Sequence, residues 1–275
     1  MKLPETWSEI GFEVEITGDG SPSLRLLQAI DDKTEKGESM HHSGGAAEET
    51  ELIYGRVIHE CFNHTPEPHF LSVGLGLGYV ELTIAREALL KRNLNFSIES
   101  FELVPELKFL FQAWLKGESL SSEIQNVYDL MAQSVLKTHF LELKNLKSLL
   151  NEKQAQQRWR LQGPLLAQSP FLSLAHGILF DAFSSKTSPD LWTEEFLVDF
   201  FTRASANDSV ISTYACRGTL KRALKQSAFA VQIREGFKGK RNSTLAWRLG
   251  VLSGHPCPER QERLWASLHE AAAAA

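Results

Sequence analysis

The sequence predicts an α/β protein: a mostly parallel sheet with an antiparallel edge strand, carrying a small N-terminal β extension. Three observations point there. A short apolar run, residues 70–73, ends in Gly74-Leu75-Gly76-Leu77-Gly78, after which Val80, Leu82, Ile84, Ala85, Ala88 and Leu89 follow a helical period. Strand-like and helix-like stretches then alternate along the chain. Two strand-like stretches, residues 228–234 and 243–249, come in direct succession near its end and imply an antiparallel pair.

Residues 10–16 alternate like a strand, Gly18-Asp19-Gly20-Ser21-Pro22 turns the chain, and residues 23–27 return. Residues 31–45 are polar and glycine-bearing, a loop. A helix is expected over residues 47–63, stopped by Pro66 and Pro68. Residues 69–92 form a strand, glycine turn and helix. Residues 95–102 form the next strand, and residues 105–115 its crossover helix, with Pro105 near the first helical position. Residues 121–154 are charged, with Leu143, Leu146 and Leu150 at helical spacing, and read as one or two helices laid on the sheet. A short strand is expected over 157–162 and a buried one over 176–180. An amphipathic helix over 191–204, a strand over 208–214 and a helix over 218–226 follow. The expected organisation is an extension packed on the core (residues 1–65), the α/β core (66–252) and a C-terminal tail (253–275) that ends in five alanines.

Composition narrows the class. The chain of 275 residues is 43% hydrophobic and 23% charged, which suits one large globular domain with additions. No signal-peptide pattern follows Met1-Lys2-Leu3-Pro4, and no apolar run is long enough to span a bilayer, so a cytoplasmic protein without a membrane partner is expected. Cys61, Cys216 and Cys257 are odd in number and far apart, which argues against a zinc ribbon or a disulfide framework. His41-His42 lacks spaced Cys, His or Asp partners, and no metal is expected. The formal net charge is -5, yet residues 217–248 hold nine Lys or Arg against one acid, Glu235. Such asymmetry is compatible with a phosphate-bearing partner; the other reading is a solvated face balanced by acids elsewhere.

Two constellations carry chemistry. The glycines after residue 73 let a ligand approach the backbone, and the following helix start offers unpaired N–H groups. Their spacing is G-x-G-x-G, and such a run also serves as a plain tight turn. Glu102 ends the next strand, where an acid commonly grips ribose hydroxyls. Together these suggest a nucleoside-bearing cofactor at the carboxyl edge of the sheet. The second constellation is Asp181-Ala182-Phe183-Ser184-Ser185, followed by Ser188-Pro189-Asp190-Leu191-Trp192. Asp181 emerges from a hydrophobic strand and can accept a proton or hold a substrate amine. It can equally cap local backbone N–H groups. Phe183 is placed to line a pocket, and Trp192 is expected in the core.

These residues resemble the methyltransferase domain of the MnmC-type tRNA 5-methylaminomethyl-2-thiouridine biosynthesis enzymes. The likeness rests on Asp19-Gly20-Ser21 through Glu38-Ser39-Met40-His41-His42-Ser43-Gly44-Gly45-Ala46 and Glu49; on Gly74, Gly76 and Gly78 with Ser100-Phe101-Glu102; on Asp181-Ala182-Phe183 with Pro189-Asp190-Leu191-Trp192-Thr193; and on Ser212-Thr213-Tyr214, Lys221-Arg222 and Gly236-Phe237-Lys238-Gly239-Lys240-Arg241. Many members have Gly-Asp where this chain has Gly163-Pro164.

The resemblance implies a Rossmann-like class I methyltransferase that uses S-adenosyl-L-methionine and acts on the aminomethyl group of wobble uridine in tRNA. It implies a cofactor site of Gly74, Gly76, Gly78, Glu102 and Glu49, and a catalytic pair of Asp181 and Phe183. Lys221, Arg222, Lys240 and Arg241 would hold phosphates of the tRNA anticodon region. A separate oxidoreductase would supply the substrate, since the flavin oxidase domain fused in some members is not expected on a chain that ends soon after its last strand. Two other readings stay open: a methyltransferase on another amine, and a non-catalytic RNA-binding or interaction protein that retains the fold.

Overall fold

The computed structural model describes residues 3–28, 37–137, 139–239 and 242–248. Lys240, Arg241, Cys257 and the expected tail over 253–275 lie outside the described residues.

The N-terminal hairpin forms where alternation and turn chemistry placed it. β1 (Phe12–Ile16) and β2 (Pro22–Leu26) pair antiparallel, from Phe12 opposite Leu26 to Ile16 opposite Pro22. Asp19 closes the turn, its Oδ1 accepting the Ser21 N–H at 2.9 Å. The next helical segment is not uniform. α1 (Ala46–Thr50) widens into a π turn (Glu51–Gly55) before α2 (Arg56–His64). Sequence period alone does not show this, because the contacts that hold the turn come from strands far along the chain.

The main sheet follows. β3 (His69–Val73), β4 (Ser97–Phe101), β5 (Trp159–Gln162), β6 (Ala175–Phe180), β7 (Ser205–Thr213), β8 (Phe229–Arg234) and β9 (Ser243–Arg248) lie in the order β5-β4-β3-β6-β7-β9-β8. β3 is buried at all five positions and pairs parallel with β4 and β6, as an apolar central strand of a parallel sheet should. Its direction is matched by every strand but β9, which runs antiparallel to both neighbours. The antiparallel strand therefore lies one place in from the edge, and β8 is the edge itself. The crossover through α8 (Gly218–Gln226) carries the chain past one strand position, and the closing hairpin fills that slot with β9.

Helices α3 (Tyr79–Lys91), α4 (Pro105–Lys116), α5 (Ser122–Leu136) and α6 (Leu143–Ala155) contribute to one apolar cluster, and α7 (Glu194–Ala204) and α8 to another. β3 divides its side chains between them with the period of a strand. Phe70 joins Phe62, Phe96, Leu107 and Trp114, while Leu71 and Val73 join Phe180, Phe200 and Leu224. Trp7, Phe12 and Leu24 of the N-terminal extension belong to the first cluster, so hairpin and sheet share one core. No described helix is long and apolar enough to cross a membrane. The strand order reverses between β3 and β6, which opens a crevice outside their carboxyl ends.

Candidate active site

A cavity of about 330 Å³ occupies that crevice. Its floor comes from the ends of β3, β4 and β6, with Gly74, Gly76, Glu102, Asp181 and Phe183 on its wall. Tyr214, just past β7, and Pro164 to Leu166, just past β5, close two sides. The N-terminal extension adds Glu38, Met40, Glu49 and Tyr54.

The glycine turn has a different reason at each position. Gly74 takes φ 94°, and a Cβ there would lie 2.5 Å from the Asp181 carbonyl oxygen, so the ends of β3 and β6 meet only because it has none. Gly76 takes φ 52° and donates its N–H to Glu102 Oε2 at 2.9 Å. Gly78 does not line the cavity. It starts α3 at φ 88°, and a Cβ there would fall 2.4 Å from the Phe111 ring. The structure thus gives Gly78 a packing reason of its own.

Glu102 is buried, and its carboxylate is held from both sides: Oε2 by the Gly76 N–H and Oε1 by the Val104 N–H at 2.8 Å. Burial pushes its pKa above the usual carboxylate value, against those backbone donors. Each oxygen has a second lone pair, so the group remains able to accept ligand hydroxyls. No acid stands at the end of β5, where Pro164 and Leu165 present an apolar wall.

Asp181 leaves β6 with its N–H bonded to the Val73 carbonyl at 2.8 Å. Its Oδ1 accepts the Tyr54 hydroxyl at 2.7 Å. Tyr214 donates to the Ala182 carbonyl at 2.8 Å, fixing the backbone beside it. Burial first, and the charge of Asp181 second, hold both phenols protonated, with pKa values well above normal. Phe183 lines the cavity, and its carbonyl accepts the Trp192 indole N–H at 2.7 Å. Trp192 is buried, as expected.

Several residues of the site were not singled out from sequence. Glu38 accepts the Ser184 N–H at 2.8 Å and the Ser184 and Thr187 hydroxyls, tying the polar loop before α1 to the turn after β6. Met40 stands over Gly76, its Sδ 3.2 Å from where a Cβ would be. Tyr54 sits in the π turn. Glu38 and Met40 lie inside the stretch that carries the family resemblance, but nothing local in the sequence names their distant partners. Expected Glu49 is buried on the wall, its Oε2 accepting the His42 N–H at 2.6 Å. The Asp19-Gly20-Ser21 turn anchors the start of α1: Asp19 Oδ2 accepts the Glu48 N–H, and Ser21 Oγ those of Ala46 and Ala47. That anchorage fixes the helix on which Glu49 and Tyr54 ride.

The basic segment is divided. Lys221 and Arg222 lie on α8, away from the cavity wall. Arg222 is engaged by Glu194 at 2.6 Å. Lys238 bonds the Gly44 carbonyl at 2.9 Å and Glu48 at 2.7 Å, joining the closing hairpin to the start of α1. Lys240 and Arg241 fall outside the described residues.

Comparison with known proteins agrees with this architecture. Residues 165–249 match a family model described as S-adenosyl-L-methionine-dependent methyltransferase. The tRNA 5-methylaminomethyl-2-thiouridine biosynthesis bifunctional protein MnmC of Azoarcus sp. is 29% identical over 195 residues, covering 69% of this chain and 29% of that protein. Its namesake in Campylobacter hominis is 26% identical over 203 residues, covering 72% of this chain and 28% of that protein. The chain therefore spans less than a third of the length of these curated relatives. The crystal structure of MNMC2 from Aquifex aeolicus superposes with a TM-score of 0.59 at 21% identity, covering 94% of this chain and 77% of that one, which establishes the shared fold. The resemblance read from the sequence is borne out: the chain is similar to MnmC proteins and has a Rossmann-like α/β fold.

Proposed function

We propose that the protein is an S-adenosyl-L-methionine-dependent methyltransferase whose substrate is the aminomethyl group on the wobble uridine of tRNA. The observation that carries this reading is the convergence of the glycine turn, Glu102 and Asp181 on one cavity at the switch point of the sheet. The residues fit the cofactor. Gly76 leaves space that a side chain would fill, and Glu102 offers a buried carboxylate to ribose hydroxyls. Leu103, Val104, Pro164 and Leu165 form an apolar slot of the kind a nucleobase occupies. When bound, the cofactor supplies an activated sulfonium methyl group.

The chain's part in the reaction is alignment and proton handling. Orientation of donor and acceptor can supply roughly 7–11 kcal/mol of the barrier. The substrate amine attacks only when neutral, and Asp181 is positioned to accept its proton. Phe183 and Tyr214 bound the space beside Asp181 and limit the entry of water. Glu38 and Glu49 add negative charge to the wall, which favours a cationic amine on arrival. Lys221, half-buried on α8, is the described cation of the expected set left for tRNA phosphates near the anticodon, since Arg222 already holds Glu194. A separate oxidoreductase would generate the aminomethyl group, and a cytoplasmic location follows from the tRNA substrate.

The deciding experiment is transfer of labelled methyl groups from the cofactor to bulk tRNA that lacks late wobble modifications. Label in tRNA is expected, together with a rise in melting temperature on cofactor addition. Transfer to small amines alone would assign a different substrate. Absence of cofactor stabilisation would leave an RNA-binding or interaction role.

A further inference from the structure

On the cavity wall stands a group that the proposed reaction does not use. Tyr54 lies in the π turn between α1 and α2, where the backbone winds more widely than in an α-helix. The carbonyl of Ile53 is taken up from outside the helix. It accepts the Ser212 hydroxyl at 2.5 Å and lies 3.4 Å from Arg234 Nη2, which also donates to Ser212 Oγ at 2.8 Å. β7 and β8 thus fix the π turn, and the turn fixes the phenol. Tyr54 is 2% exposed, yet it borders the cavity and donates a hydrogen bond to Asp181. A regular helix would present a residue at this point with a different rotation.

We propose that Tyr54 is a positioning residue for Asp181: its hydroxyl donates to one carboxylate oxygen, sets the plane of the group, and leaves it oriented to take the amine proton. The proposal rests on Asp181 as the proton acceptor. Arg234, Ser212 and the Ile53 carbonyl act one step further back, by holding the turn. The phenol stays a donor throughout, because burial and the adjacent carboxylate oppose its ionisation.

The test uses Tyr54→Phe, Asp181→Asn and the double variant of the full chain. Loss of one hydrogen bond to a charged group is expected to lower kcat for methyl transfer roughly 10- to 100-fold with cofactor affinity unchanged. The double variant should be no slower than Asp181→Asn alone, because Tyr54 acts only through that carboxylate. A second readout needs no substrate. The ¹³C carboxyl titration of Asp181, assigned by its absence in Asp181→Asn, should move to higher pH in Tyr54→Phe, since a donor to the charged form has been removed. An unmoved titration, or losses that multiply in the double variant, would overturn the proposal. A Tyr54→Phe chain that fails to fold would overturn it too, by making the hydroxyl a structural anchor. Full methyl transfer by Asp181→Asn would instead overturn the assignment of Asp181, whatever the carboxyl titration of Tyr54→Phe shows.

Discussion

Replacing Glu81 by Gln should change how the fold responds to pH. Glu81 lies in the first turn of α3, fully buried beneath the glycine turn. Ser100 donates to its Oε1 at 2.7 Å and in turn accepts the Trp159 indole N–H at 3.1 Å. Oε2 is buried with no hydrogen-bond partner. Burial, opposed by the Ser100 hydroxyl and aided by the charge of Glu102, raises the pKa from 4.5 to about 7. Between those values the folded chain keeps a proton that the unfolded chain releases. Stability is therefore fully present below pH 4.5 and falls as pH rises, by about 1.4 kcal/mol per unit, levelling off above about pH 7. The whole window amounts to about 3 kcal/mol. Gln keeps the acceptor for Ser100 and does not titrate. Urea unfolding of both proteins from pH 4 to pH 8 isolates this residue, since every other titrating group is common to both. The unfolding free energy of Glu81→Gln should gain about 3 kcal/mol on the parent across the window. Parallel curves would refute the argument, and would mean that water reaches the carboxyl or that Glu81 finds a cation.

Asp181→Asn should fold and bind S-adenosyl-L-methionine like the parent while methyl transfer falls roughly 10²- to 10⁴-fold; a destabilised but fully active variant would make Asp181 a capping residue. Glu38→Ala removes the acceptor for the Ser184 N–H, and amide exchange at Ser184 should accelerate roughly 10- to 100-fold, measured by mass spectrometry under native conditions. Lys221→Gln should reduce the dependence of tRNA affinity on salt by about one in logarithmic slope. Arg222→Gln should reduce it less, because Glu194 already neutralises that side chain.

What could be read without the structure follows from the range of the interactions. The strand before Gly74, the helix after Gly78 and the acid ending β4 were legible because period, turn residue and charge are all local signals. Asp181 was legible for the same reason, as an acid at the end of an apolar run. The packing demand on Gly78 was not legible, because its partner, the Phe111 ring, belongs to another helix and leaves no mark on a glycine-rich run. The π turn was invisible because its cause lies in Ser212 and Arg234, on strands far along the chain. The position of β9 was missed because a hairpin signal reports antiparallel pairing but not which of its strands meets the rest of the sheet. Glu38 is a further case: its hydrogen bonds span 146 and 149 residues.

That span has a consequence for how the protein comes into being. During synthesis Glu38 leaves the ribosome well before Ser184 and Thr187, and the hairpin with its helix must wait for most of the sheet to appear. Closing so long a loop costs little more than closing one of half the length, about 0.6 kcal/mol, so final stability hardly registers the distance. Folding rate does register it, because contacts remote in sequence form late. The cavity is consequently a late product of folding, completed only when the first and the last thirds of the described chain have met. A nascent chain that already holds β3, the glycine turn and β4 has Gly74, Gly76 and Glu102 of the cavity wall but lacks Asp181. The two halves of the proposed site thus enter the molecule at different moments of its assembly.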